Sequence, residues 1–92
     1  MLVHLGAGVS VQSRDVLTLT DLQRPLPPDT KALFDSLSRR NRVRRLGGEP
    51  KTMVLVQQDQ QTVCYLSSVG LRTLRLRMEE EEALLRKLAS RP

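Results

Sequence analysis

Of the seven positions from Arg39 to Arg45, five are arginine: Arg39, Arg40, Arg42, Arg44 and Arg45. With Lys51 and the single anion Glu49, residues 39–51 carry +5, which equals the excess of the whole chain (15 cations, 10 anions). The choice of cation matters because 12 of the 15 are arginine. A guanidinium presents a planar fork that can hold a phosphate through two parallel hydrogen bonds, whereas lysine acts as a compact point charge. A clustered set of this type is the electrostatic footprint of a surface that binds a phosphate backbone. Salt-dependent contacts between copies, or plain solubility, would use the same residues. The cations near a helix C-terminus are also favoured by the helix dipole without any ligand.

Other reactive residue types lack the company that chemistry needs. His4 is the one histidine, lies in an apolar alternating segment, and reads as a hydrogen-bonded strand residue. Cys64 sits between Val63 and Tyr65 in a strand segment and reads as a buried, inert thiol. Glu79 to Glu82 point in different directions around a helix and read as a solvated charge run, not a metal site. No helix follows Gly6-Ala7-Gly8, so it is too short for a dinucleotide fingerprint. The expectation is a protein that is not an enzyme and takes no cofactor or metal. With no Trp, one Tyr and one Phe, stacking of single-stranded bases is disfavoured. One cysteine excludes an internal disulfide framework and points to a reducing cytoplasm. The chain has no apolar run long enough to span a bilayer, and residues 1–6 do not resemble a secretory leader.

The elements that must position these residues are short. Leu2 to Leu5, Val9 to Gln12 and Val16 to Thr20 read as three strands of a β-meander, the second alternating with period two. Pro25, Pro27 and Pro28 exclude a strand or helix interior there. Asp29 and Thr30 are candidate N-caps of a helix whose apolar side is Ala32, Leu33, Phe34 and Leu37, and which ends near Asn41. Arg39, Arg40 and Arg42 then fall at its last turn. Val43 to Leu46 reads as an edge strand closed by Gly47-Gly48. Met53 to Val56 is apolar throughout, as a central strand covered on both faces would be. A polar loop at 57–61 returns the chain to Thr62 to Leu66.

Ser67 or Ser68 is a candidate cap for a last helix running toward Pro92. Leu71, Leu74, Met78, Leu85 and Leu88 occupy its a/d seam, with Glu81 on the same seam. Two outcomes follow: a helix that docks only its first half, or one that packs on a partner chain. The fold class is α+β, a small mixed domain of short antiparallel strands with a central helix and a C-terminal helix. At 92 residues the core is modest, and completion by oligomerisation is expected.

Several segments, in order and spacing, resemble the Rem family of bacterial extracellular-matrix regulatory proteins. They are Val3-His4-Leu5-Gly6-Ala7-Gly8, Val16-Leu17-Thr18-Leu19-Thr20-Asp21, Thr30-Lys31-Ala32-Leu33-Phe34, Lys51-Thr52-Met53-Val54-Leu55-Val56, and Tyr65-Leu66-Ser67-Ser68-Val69-Gly70-Leu71-Arg72-Thr73-Leu74. The resemblance covers residues 1–77 and is closer to the B type; residues 78–92 form a charged helical extension outside it. It implies a ring-forming subunit of a cytoplasmic, nucleoid-associated transcription regulator that controls biofilm-matrix genes and binds double-stranded DNA along a basic outer surface. The family's arginine after the second strand corresponds to Arg14, here followed by Asp15. Its basic pair before the central strand is reduced to Lys51, with Glu49 nearby. Either the DNA surface is rebuilt from the helix end, or DNA binding is weak. The DNA-contacting set is therefore Arg14, Arg39, Arg40, Arg42, Arg44, Arg45 and Lys51. The rival expectation is an oligomeric scaffold that does not touch DNA and binds another protein, such as another regulator, through its last helix. No membrane partner is expected.

Overall fold

In the computed structural model, which describes residues 2–90, the chain reverses immediately after its first strand. β1 (Leu2–Gly6) and β2 (Val9–Gln12) form an antiparallel hairpin. Ala7 (φ 51°) and Gly8 (φ 75°) take the left-handed conformation that a two-residue hairpin turn demands. A single 3-10 turn, Ser13–Asp15, leads into β3 (Val16–Asp21). Next come α1 (Pro28–Arg39), β4 (Val43–Arg45), β5 (Thr52–Gln58), β6 (Gln61–Ser67) and α2 (Leu71–Ala89).

The four-stranded sheet has the order β3-β5-β6-β4, and the β1-β2 hairpin is separate from it. The expected meander of the first three strands is thus corrected. β5 is apolar on both faces, so it needs strands at both edges and a layer over each face. β3 supplies an edge, with Leu19 opposite Val54, and the hairpin supplies a covering layer. Val54 and Val56 pack with Val3, Leu5, Val11, Leu46 and Leu74, so the hairpin and α2 cover one face. Met53, Leu55, Cys64 and Leu66 pack with Leu37 and Phe34 of α1 on the other face. The result is a three-layer α+β domain whose sheet centre is buried.

The strands are not all antiparallel. β4 runs parallel to β6, with Val43 opposite Cys64 and Arg45 opposite Leu66. After β4 the chain turns back and crosses one strand position to reach β5. β4 is antiparallel to β5 but sits beyond β6, so it meets β6 in parallel. Gly48 (φ 71°) makes this turn possible, since a Cβ there would lie 3.1 Å from Ser68 Cβ.

Both helix starts differ from expectation. α1 begins at Pro28 with Pro27 as N-cap, and neither Asp29 nor Thr30 caps it. A proline in the first turn leaves no amide there to satisfy, and Asp29 still complements the dipole. α2 has Gly70 as N-cap. Ser67 is already engaged: its hydroxyl donates to Leu5 O and accepts the Val69 N–H at 3.0 Å, tying the sheet to the hairpin. Thr52 Oγ1 donates to Val69 O at 2.7 Å, fixing the entry to α2.

α2 docks its first half only. Leu74 is fully buried, Leu71 and Met78 are half-buried, and Leu84, Leu85 and Leu88 are exposed. Glu82 and Arg86 pair at 2.8 Å, as their spacing predicts. The glutamate run is not uniformly solvated. Glu81 is buried on the docked stripe, where Ser13 Oγ donates to its Oε1 at 2.9 Å. Pro92, the expected breaker, lies outside the described residues.

Candidate nucleic-acid interface

The arginine cluster is built around the way α1 ends. The Arg42 N–H donates to Leu37 O (2.9 Å) and the Asn41 N–H to Ser38 O (3.1 Å). These are the paired 6→1 and 5→2 bonds of a Schellman motif, with Asn41 (φ 56°) in the left-handed position. Asparagine tolerates that conformation better than other side-chain-bearing residues. The motif projects Arg39 and Arg40 from the helix end and sends the chain through Arg42 straight into β4. Asn41→Val is expected to cost about 1–2 kcal/mol, from the steric penalty of a β-branched residue in the left-handed region. Asn41→Gly should be neutral or stabilising. Urea denaturation of both variants checks this.

β4 then divides the remaining two arginines between faces, because successive side chains of a strand alternate. Arg44, opposite Tyr65, shares the hairpin side; its guanidinium donates to Asn41 O at 2.7 Å and so braces the helix-ending loop. Arg45, opposite Leu66, shares the α1 side and lines a groove of about 430 Å³ with Phe34, Ser38, Asn41 and Val43. Arg39, Arg40, Arg44 and Arg45 are exposed and Arg42 is half-buried. Among the described residues, Arg39, Arg40, Arg42 and Arg45 make no ion pair with a carboxylate. Five arginines therefore lie along the α1 end and the β4 edge, Arg44 and Arg45 on opposite faces, and no carboxylate among the described residues is ion-paired to them.

The other two members of the expected set stand apart. Arg14 is exposed in the 3-10 turn, beside Met78, Glu82 and Leu85 of α2, across the sheet from α1. The reason is the redirection at Ser13–Asp15, which keeps this turn with the hairpin layer. Lys51 precedes β5, its N–H bonded to Ser67 O (2.8 Å) and its carbonyl to the Leu22 N–H (2.9 Å). It thus belongs to the sheet end near which Arg45 also sits, two strand spacings across and two residues along, roughly 12 Å away.

That same end carries cations outside the expected set. Arg72 and Arg75 line a groove of about 490 Å³ with Asp21, Gln23, Gly70 and Leu71 at the start of α2. They sit on the positive pole of the helix, whose first turn holds no acidic residue. Their only sequence signal is their grouping with Arg77 just after the Tyr-Leu-Ser segment. Nothing in that grouping tells that Thr52 and Val69 bring it beside Lys51.

The remaining reactive groups are engaged within the fold. His4 Nδ1 and Ser10 Oγ lie 2.6 Å apart across the hairpin, and Arg77 donates to His4 O at 2.8 Å. Cys64 is fully buried, and loss of hydration pushes its thiol up from 9.0 to about 11. Below pH 9 the thiol is protonated whether the chain is folded or not. Between pH 9 and 11 the unfolded chain ionises first, so Cys64 subtracts stability as pH rises through that window. Native protein should resist a thiol-alkylating reagent at pH 8 and react fully once unfolded, as mass spectrometry would show.

Among the described residues no group of His, Cys, Asp or Glu is arranged to hold a metal ion, and no helix is long and apolar enough to cross a membrane. No protein-family model and no curated protein sequence matches this chain.

Proposed function

We propose that this chain is an oligomeric transcription regulator that binds duplex DNA through arginine–phosphate contacts. The observation that carries the reading is the β4 edge and α1 C-terminus, which together hold five arginines, none of them ion-paired to a carboxylate among the described residues. Exposed cations of this kind bind phosphates without first breaking an internal ion pair. The resemblance to Rem proteins supports the same reading, and with it control of matrix genes from a cytoplasmic, nucleoid-associated assembly. Phosphate contacts position a protein on DNA without specifying bases, so a single subunit would bind weakly and a multi-subunit array would bind by avidity. Arg45 and Lys51 at one end of the sheet extend the surface, and Arg14 is not part of it.

The test is an electrophoretic mobility shift with a random duplex across 50–200 mM salt, the range over which proteins making many phosphate contacts lose roughly 10³–10⁵ in affinity. Absence of any shift at the lowest salt would overturn the reading. It would favour the alternative, an oligomeric scaffold without DNA contact, for which the exposed Leu84, Leu85 and Leu88 speak.

A further inference from the structure

The seam of α2 runs Leu71, Leu74, Met78, Glu81, Leu85, Leu88 at alternating spacings of three and four. Its first four residues meet the domain, and the stripe then continues through side chains that are left largely exposed. Leu84, Leu85 and Leu88 are 43%, 45% and 51% exposed. Beside them lies Leu2 of β1, 58% exposed, and Leu2 and Leu84 line one groove of about 350 Å³ together with Val3, Arg77 and Glu80. The apolar surface is thus continuous from the helix end onto the hairpin.

We propose that a second copy of this chain covers this surface, its α2 lying antiparallel to the first with the two-fold axis near Leu84. The choice of occupant and of direction comes from the charges. Around the helix, Glu80, Leu84 and Lys87 share one flank of the stripe, while Glu82 and Arg86 share the other. An antiparallel copy turned about Leu84 sets Glu80 against Lys87 on the first flank and Glu82 against Arg86 on the second. Leu84 meets its own symmetry mate. The surface is therefore self-complementary, as a two-fold contact must be. A parallel copy in register would set the glutamates of residues 79–82 on one another, which like-charge repulsion opposes.

The same alignment carries the second copy's Leu88 to the level of Glu80, at the mouth of the groove between Leu2 and Leu84. An apolar centre with a charged rim is the usual anatomy of such an interface. Two short helices and a hairpin edge place the contact at the small end of specific interfaces, so the pairing is a reversible one. It does not depend on DNA binding and would join subunits of either assembly proposed above.

The test uses the full chain in sedimentation equilibrium over a range of concentrations. Leu84→Asp with Leu88→Asp should halve the largest species while far-UV circular dichroism stays unchanged, because both side chains are exposed. Glu80→Lys alone and Lys87→Glu alone should each weaken association by about tenfold, since each sets like charges together. The double reversal should restore it to within about threefold of the wild type. A mass unaffected by the aspartates would overturn the interface. Failure of the double reversal to exceed either single one would overturn the antiparallel register.

Discussion

Replacing Arg39, Arg40 and Arg42 together by alanine should flatten the salt dependence of DNA binding more than any comparable change in the molecule. Each phosphate contact contributes about 0.9 to the slope of log K against log salt, so three contacts per bound subunit remove about 2.7. At low salt the affinity should fall by two to three orders of magnitude, roughly ten-fold for every 1.4 kcal/mol of lost contact energy. Folding should be untouched, because the Schellman bonds that end α1 are made by backbone groups and these side chains have no internal ion pair. A lysine triple variant sharpens the result. It keeps the charge and hence most of the slope, but loses the bidentate geometry and so part of the affinity. Arg14→Ala is the matched control: the turn that holds it lies with the hairpin layer, across the sheet, and its removal should leave the titration unchanged. An unchanged slope in the triple alanine variant would remove these residues from the interface.

The largest effect on stability is expected from Leu74→Ala. Leu74 is the point at which α2 enters the core, fully buried among Val3, Leu5, Val11, Leu46, Val54 and Val56. Truncation removes its transfer energy and leaves a cavity walled by a sheet and a hairpin that are both anchored elsewhere, a cost of about 2–5 kcal/mol. Small domains hold only about 5–15 kcal/mol in total. At 4–8 °C per kcal/mol, the melting temperature should fall by at least about 8 °C. Leu84→Ala, by contrast, should stay within about 0.5 kcal/mol in the isolated chain, because it changes an exposed position. Thermal melts of the two variants side by side check the docking of the first half of α2. Equal melting temperatures would mean that the helix does not dock through Leu74.

The local elements were legible from residues 1–92 because they depend on periodicity and turn chemistry. The continuous apolar run Met53 to Val56 announced a strand buried on both faces, and every one of those side chains is indeed buried. The α1 helix, its end near Asn41 and the edge strand after it follow equally from spacing and charge, whereas the seam of the last helix left two outcomes open, of which the structure shows the half-docked one. Caps were less legible. Serine at 67 has the right chemistry to start α2, but its hydroxyl is spent across 62 residues on Leu5, which local pattern does not reveal.

Partners at long range were the other blind spot. Three consecutive strands separated by short turns read as a meander. The hairpin instead folds onto the face of a sheet whose edge is β3, because a strand apolar on both faces needs a neighbour at each edge and a layer over each face. The same long-range pairing decides which arginines act together. Their clustering from Arg39 to Arg45, the choice of guanidinium over ammonium, and the +5 excess are properties of the chain itself. The tertiary structure alone set β4 parallel to β6, so that Arg44 braces a loop and Arg45 faces a groove. It also left Arg14 on the far layer and brought Arg72 and Arg75 to the sheet end that holds Lys51. Charge density is additive along a sequence and can be counted there. The face on which a charge emerges depends on strand register and layer order, which exist only once the chain has folded.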